Sequence, residues 1–437
     1  MLIQFSVENF RSIRDEQILS LVRSSSLELV DNYFSTEAPN TPELLKSAVI
    51  YGANASGKSN LLKALHTMKL VIAQSFTKDI NSPIIYEPFL FNKENRQSPT
   101  TFEIAFILQN FEGQGKPVRA LYGFSADQNY VHEEWFSVFP KGREQTWFHR
   151  ILEADSGEYS WTMSSMFKGE KESWKKQTRS DQLFFSTAAH LNSPQIKAIY
   201  EELIHALFFL HDTSIVPSNL SSQFLSSDEE KKILIDLFNA SDIPIEDIEE
   251  ESHPVQSGEG LFIHNLMSKE MTTRGVDPSA VKPTRVERYF VYRDENGEKV
   301  RIKFQEESDG TQKLFSLAGV ILLALKFGKT LVVDELNKSH HSDLVRFLVS
   351  LFNSSMNKNN AQLIFTSHET SILRKDLLRR DQIWFCEKQV DRSTRLYPLT
   401  DFKPHVKRED LEEYYLHGRY GAKPKLGAFI LPNDFMS

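Results

Sequence analysis

The chain has 437 residues, which suits one large domain with an insertion, or two domains. With 40% hydrophobic and 25% charged residues it has the balance of a globular protein, and its net charge of −8 confines any nucleic-acid contact to a local patch. The single cysteine, Cys386, excludes a disulfide framework and a cysteine-based zinc site and fits a reducing cytoplasm.

The N-terminal "MLIQFSVENF" alternates like the first strand of an α/β sheet and lacks a signal-peptide layout. "SAVIYG" is an apolar strand ending in glycine. "GANASGKS", Gly52 to Ser59, follows it and leads into a helix with Leu61, Leu62, Leu65 and Met68 on one face. This GxxxxGK[ST] pattern predicts a phosphate-binding loop, whose backbone N–H groups converge on phosphate oxygens. Gly52 and Gly57 allow the tight turn, Lys58 reaches the β- and γ-phosphates, and Ser59 offers a hydroxyl to Mg²⁺. The helix N-terminus turns its positive dipole end toward the anion. From about Pro88 to Phe148 the runs "TFEIAFIL", "ALYGFSA", "YVHEEWFSVF" and "QTWFHRIL" predict an antiparallel sheet.

Residues 159–283 change character and are expected to form a mostly helical insertion between 1–158 and 284–437. "SPQIKAIYEELIHALFFL" and "SSDEEKKILIDLFNA" have helical periodicity and Ser/Asp starts. "MTTRGVDPSAVKPTR" has the composition of an exposed linker. The acidic run "EDIEEE", Glu246 to Glu251, is expected as a solvated loop rather than a metal site. Then "ERYFVYRDENGEKVRIKF" predicts a hairpin turning at "DENG". A helix over 311–326, a strand over 330–334, a helix from about Asp343, the strand "QLIFTS", a short helix and the strand "QIWFC" return the chain to α/β alternation. The longest apolar run, "LAGVILLAL", is far short of the ~20 residues that cross a bilayer, so a soluble, cytoplasmic protein is expected.

Three further pieces carry chemistry. "TLVVDEL" ends a strand in Asp334, suited to the Mg²⁺ shell, and Glu335, suited to orient or deprotonate the attacking water. His368, past the strand "QLIFTS", stands at the sheet edge where ligands bind and can hydrogen-bond a γ-phosphate or water. "EESDGTQKLF" joins the Ser308 hydroxyl and the Gly310 N–H to the positive end of a helix, again a phosphate-suited turn.

Together, Gly52–Ser59, "SDGTQ", "TLVVDEL" and His368 resemble the Walker A, signature, Walker B and switch elements of an ABC-type ATPase head, as in SMC proteins and DNA-repair ATPases. "FSVENFRSI", "ESDGTQKLF", "DELNKSHH", "TSHETSIL", "RRDQIWFCEK" and "YYLHGRYGAKP" are more specifically similar to the prokaryotic OLD-like/RloA-type abortive-infection AAA ATPases. The fold implied is an α/β ABC-type P-loop ATPase head with an antiparallel β subdomain and a mostly helical insertion. The resemblance implies ATP and Mg²⁺ as cofactors, with Lys58 and Ser59 on phosphate and metal, Asp334 on metal, Glu335 as base and His368 as switch. It adds Asn54 and Asn60 of the loop and helix start, and Asn9 and Arg11 of "NFRS", as residues approaching the nucleotide. It implies that Ser308 and Gly310 act on a nucleotide held by a second copy in a head-to-tail homodimer or higher homo-oligomer, with Asn337 to His341 as the D-loop. Asp309 and Thr311 depart from the transporter form of the signature.

OLD proteins carry a TOPRIM nuclease with a glutamate and a DxD pair. Here Glu387 follows a strand but no DxD lies downstream, so a nuclease is not expected in this chain. The resemblance therefore implies the ATPase subunit of an anti-phage defence system, a sensor and scaffold that a phage component triggers and that controls a separate effector nuclease or toxin. The alternative is a DNA-repair-like SMC-type ATPase that binds DNA itself, through "WKKQTR" (Trp174 to Arg179) or "RKDLLRR" (Arg374 to Arg380). The tail motif Tyr414 to Pro424 suits either docking to another chain or packing on its own head.

Overall fold

The computed structural model describes residues 1–80, 82–113, 115–210, 219–254, 284–338, 341–402 and 410–424. The chain divides into two compact units, one of Met1–Thr213 with Leu323–Ser437 and one of Ser214–Leu322.

The first unit is built on two sheets. One has the strand order Leu207–Leu210, Thr330–Val333, Gln362–Thr366, Ser47–Gly52, Ile383–Lys388, Thr394–Pro398. Its first five strands are parallel and the last is antiparallel. The central strands "SAVIYG", "TLVV" and "QLIFT" are buried at every position, which is why they read as unbroken apolar runs. The other sheet is seven-stranded and antiparallel, in the order Tyr159–Met163, Gln145–Leu152, Val131–Val138, Val118–Ala126, Thr100–Leu108, Leu2–Glu8, Gln17–Ser20. The N-terminal strand therefore belongs to the antiparallel sheet, not to the α/β sheet expected for it. Its polar Gln4 and Ser6 break the continuous apolar pattern that strands buried between helix layers require.

The helix Lys58–Gln74 buries Leu61, Leu62, Leu65 and Met68, the face expected from the sequence. These join one core with Phe5, Phe102 and Ile104 of the antiparallel sheet and Ile50, Val332 and Ile364 of the parallel sheet. Each buried side chain of this size contributes roughly 1.5–3 kcal/mol. Buried Gln362 ties the layers together: its amide nitrogen donates to the Leu2 and Leu45 carbonyls, and its oxygen accepts from Leu2 N–H and the Thr330 hydroxyl. A second polar anchor is Glu134, wholly buried with Arg150. It accepts from Tyr122 Oη, Arg150 Nε and the N–H groups of Phe184 and Phe185, docking the helix Phe184–His190 onto the antiparallel sheet.

The stretch 159–283 is shared between both units. Tyr159–Met163 edges the antiparallel sheet, and the helices Lys171–Gln177, Phe184–His190 and Ile196–Ala206 lie in the first unit. Leu207–Leu210, expected at the end of a helix, is instead an edge strand pairing with Thr330–Val333. The helices Asn219–Ser222 and Asp228–Ala240 lie in the second unit. The predicted linker lies, up to Pro283, outside the described residues.

The second unit holds a three-stranded antiparallel sheet, Asp247–Pro254, Thr284–Arg293 and Lys299–Lys303, whose last two strands form the expected hairpin. Phe238, Phe290, Phe304 and Phe315 pack its centre. "EDIEEE" is largely strand rather than loop, because its carboxylates face cations. Glu246 pairs with Arg293, Asp247 with Lys231, Glu249 and Glu251 with Arg301, and Glu250 with Arg288.

Candidate functional site

The phosphate loop leaves the strand Ser47–Gly52 and enters the helix Lys58–Gln74. Gly57 has a φ of 108°, which a side chain rarely tolerates, and a Cβ there would lie 2.0 Å from Thr394 Oγ1. Lys58 is buried, and its ammonium donates to the carbonyls of Gly52 at 2.8 Å and Ala53 at 3.1 Å. Burial pulls its pKa below the usual lysine range, opposed by Cys386, Asp334 and Glu335. Burial also pushes the Cys386 thiol up to about 12, so the single cysteine stays protonated at neutral pH. Asn54 is exposed on the loop, Ser59 is partly exposed, and Asn60 donates from Nδ2 to Ser12 Oγ.

Two neighbouring strands bring the other candidates to the same edge. Val333 is in register with Phe365, and Thr366 with Ile50, so Asp334, Thr366 and Gly52 follow one another at the carboxyl ends of adjacent parallel strands. Thr366 was quoted in the sequence without a role. Its hydroxyl donates to Asp334 Oδ1 at 2.6 Å and accepts from the Glu335 N–H at 2.7 Å. That bond holds Glu335 at a φ of 54°, a left-handed conformation uncommon outside glycine and asparagine. Asn337 Oδ1 accepts from Ser367 Oγ and His368 N–H, joining the turn after Glu335 to His368. His368 is lowered below its usual pKa by burial first and then by the Lys58 charge, with Glu335 and Asp334 opposing. Lys58, Asp334, Glu335 and His368 thus lie within one electrostatic field. Ser339 and His340 of the expected D-loop lie outside the described residues.

Asn9 and Arg11 have other partners than those expected. Asn9 is buried with a φ of 54°. Its amide nitrogen donates to the carbonyls of Asn95, Ser98 and Pro99, and its oxygen accepts from Phe89 N–H. The side chain clamps the 89–99 loop and has no donor left for a nucleotide. Arg11 makes a two-pronged ion pair with Glu87.

In the second unit Ser308 caps the helix Asp309–Phe327, its Oγ accepting from Thr311 N–H at 3.2 Å. Ser308 is exposed. A Cβ on Gly310 would meet only Ser308 Oγ, at 3.8 Å, and its φ is not positive. Among the described residues nothing therefore requires glycine at 310. This helix has the length and composition to cross a bilayer, but over half of it is buried in protein.

Most cations of the basic runs have acidic partners, while Lys176 and Lys375 are exposed. Trp174 is buried, Lys175 pairs with Glu172, and Arg179 with Asp181. Arg374 pairs with Asp376, buried Arg379 with Asp381, and Arg380 with Glu28. Among the described residues no group of three or more His, Cys, Asp or Glu could hold a metal by itself. The tail packs on its own unit: Tyr415 and Tyr420 are buried and stack on Phe385, and Tyr397 Oη donates to the Tyr420 carbonyl.

The family model described as "AAA domain, putative AbiEii toxin, Type IV TA system" matches residues 47–374. No curated protein matches the chain. Among solved structures the chain is similar to the SMC head domain from Thermotoga maritima, at 10% identity and a TM-score of 0.41, covering 91% of this chain and 98% of that one. It is similar also to an SMC head bound to the C-terminal winged-helix domain of ScpA, at 14% identity and a TM-score of 0.37, covering 91% and 97%.

Proposed function

The chain belongs to the AAA-domain family whose model spans residues 47–374, and on that premise we propose that it binds ATP with Mg²⁺ and hydrolyses it to ADP and phosphate. The observation that carries this reading is the convergence of Lys58, Asp334, Glu335 and His368 at the ends of three adjacent parallel strands. Gly52, Asn54, Gly57, Lys58, Ser59 and Asn60 form the nucleotide cradle. Lys58 exchanges the two carbonyls it now holds for phosphate oxygens. Ser59 and Asp334 would hold Mg²⁺, which neutralises phosphate charge. Glu335 takes the proton of the attacking water, and neutral His368 contacts the γ-phosphate side.

Ser308 and Gly310 of a second copy close the site. The exposure of Ser308, and the lack among the described residues of any neighbour that requires glycine at 310, support a partner outside the chain. The assembled protein acts as sensor and scaffold in anti-phage defence, responding to a phage component and controlling a separate nuclease or toxin. The toxin–antitoxin wording of the family description supports that setting. The ion pairs of Arg179, Arg374 and Arg379 weigh against direct DNA binding through these runs.

Phosphate release by the purified protein tests the core of the proposal. Wild type should release phosphate from ATP, Lys58→Ala should lose ATP binding, and Glu335→Gln should retain ATP without turnover. Unchanged turnover in Glu335→Gln would remove Glu335 from the mechanism.

A further inference from the structure

A run of hydrogen bonds beneath the phosphate loop connects three segments far apart in sequence. Asn60 Nδ2 donates to Ser12 Oγ at 2.8 Å. Ser12 Oγ and Thr394 Oγ1 lie 2.8 Å apart, and Thr394 Oγ1 donates to the Ser56 carbonyl at 2.9 Å. A hydroxyl has one proton. Since that of Thr394 goes to Ser56, Ser12 must donate to Thr394, and the run has one direction, from the amide of Asn60 to the loop carbonyl. Thr394 N–H also donates to the Ser12 carbonyl at 2.7 Å, fixing the two residues together. Thr394 is buried, so its bond to the Ser56 carbonyl is formed out of water.

The consequence follows from peptide planarity. The C=O and N–H of one trans peptide point in opposite directions. Holding the Ser56 carbonyl against Thr394 therefore turns the Gly57 N–H to the opposite side of the loop. Thr394 also fills the space beside Gly57, leaving that peptide little room to rotate. We propose that Thr394, with Ser12, is a positioning residue that presets the phosphate loop for β- and γ-phosphate binding. This rests on the nucleotide reading of the loop and deepens it. It gives a role to Ser12 of "NFRS" and to Thr394, the first residue of the strand Thr394–Pro398.

The test compares Thr394→Val, which keeps the shape and removes the hydroxyl, with Thr394→Ser, which restores it. ATP and ADP affinities are measured by calorimetry, alongside KM, kcat and the thermal midpoint. Thr394→Val should weaken ATP and ADP binding about tenfold, the loss expected of one buried hydrogen bond. KM should rise in step while kcat at saturation changes little, and the serine variant should recover most of the affinity. Should the valine variant fold poorly, Ser12→Ala, at a partly exposed position, should give the same rise in KM. Wild-type affinity in Thr394→Val, or a serine variant as impaired as valine, overturns the inference. Failure of wild type itself to bind ATP overturns the nucleotide reading instead.

Discussion

Thr366 holds both acidic residues of the candidate site. Its hydroxyl spends its proton on Asp334 and its lone pair on the Glu335 N–H. Thr366→Val removes both bonds while keeping the side chain's shape. Bonds to charged groups contribute roughly 1.5–3 kcal/mol. Steady-state assays should therefore show turnover reduced at least tenfold with ATP binding retained, and Thr366→Ser should restore it. His368 gives a second prediction. Because burial and the Lys58 charge disfavour its protonated form, its NMR titration should have a midpoint below the ordinary histidine value. The sign is fixed by linkage: stability gained from the neutral form is present above the unfolded pKa and is lost as pH falls toward the folded one. Lys58→Met should raise the midpoint, because the cation is gone and Asp334 and Glu335 remain. Lys58, Asp334, Glu335 and His368 were legible in the sequence because each ends a strand or sits in a contiguous motif. Thr366 had no such mark, since its partners lie 31 and 32 positions away. The loop-clamping bonds of the Asn9 amide were not legible either, since their partners lie 80 to 90 positions away.

Among elements, the helix Phe184–His190 depends on Glu134. Its first N–H groups have no partner within the helix, and the carboxylate accepts two of them together with Tyr122 and Arg150. Glu134→Gln would leave Arg150 charged and buried without its counter-ion. Urea unfolding should show a loss of about 3–5 kcal/mol. The parallel strands and the phosphate-loop helix were readable from apolar runs and a 3.6-residue face. The helix-to-strand change at Leu207 was not, because a short apolar run has the same pattern in either state. "EDIEEE" was misread because strand propensity there comes from arginines on partner strands around forty to fifty residues onward, which local composition does not contain.

In the whole molecule, the phosphate loop and the Ser308–Gly310 turn lie in different compact units. Among the described residues nothing closer than Ser308 Oγ, at 3.8 Å, would meet a methyl group on Gly310. Gly310→Ala should therefore leave the thermal midpoint within about a degree, the small shift expected of a neutral surface change. It should still lower ATP-dependent assembly, if a second copy's nucleotide approaches that backbone. The central claim is that ATP on one copy is closed by the turn of another. Sedimentation of Glu335→Gln, with and without ATP, tests it most directly. ATP should at least double the mass, and adding Ser308→Arg should abolish the increase while each chain still binds ATP. An unchanged mass in Glu335→Gln with ATP demonstrably bound would contradict it.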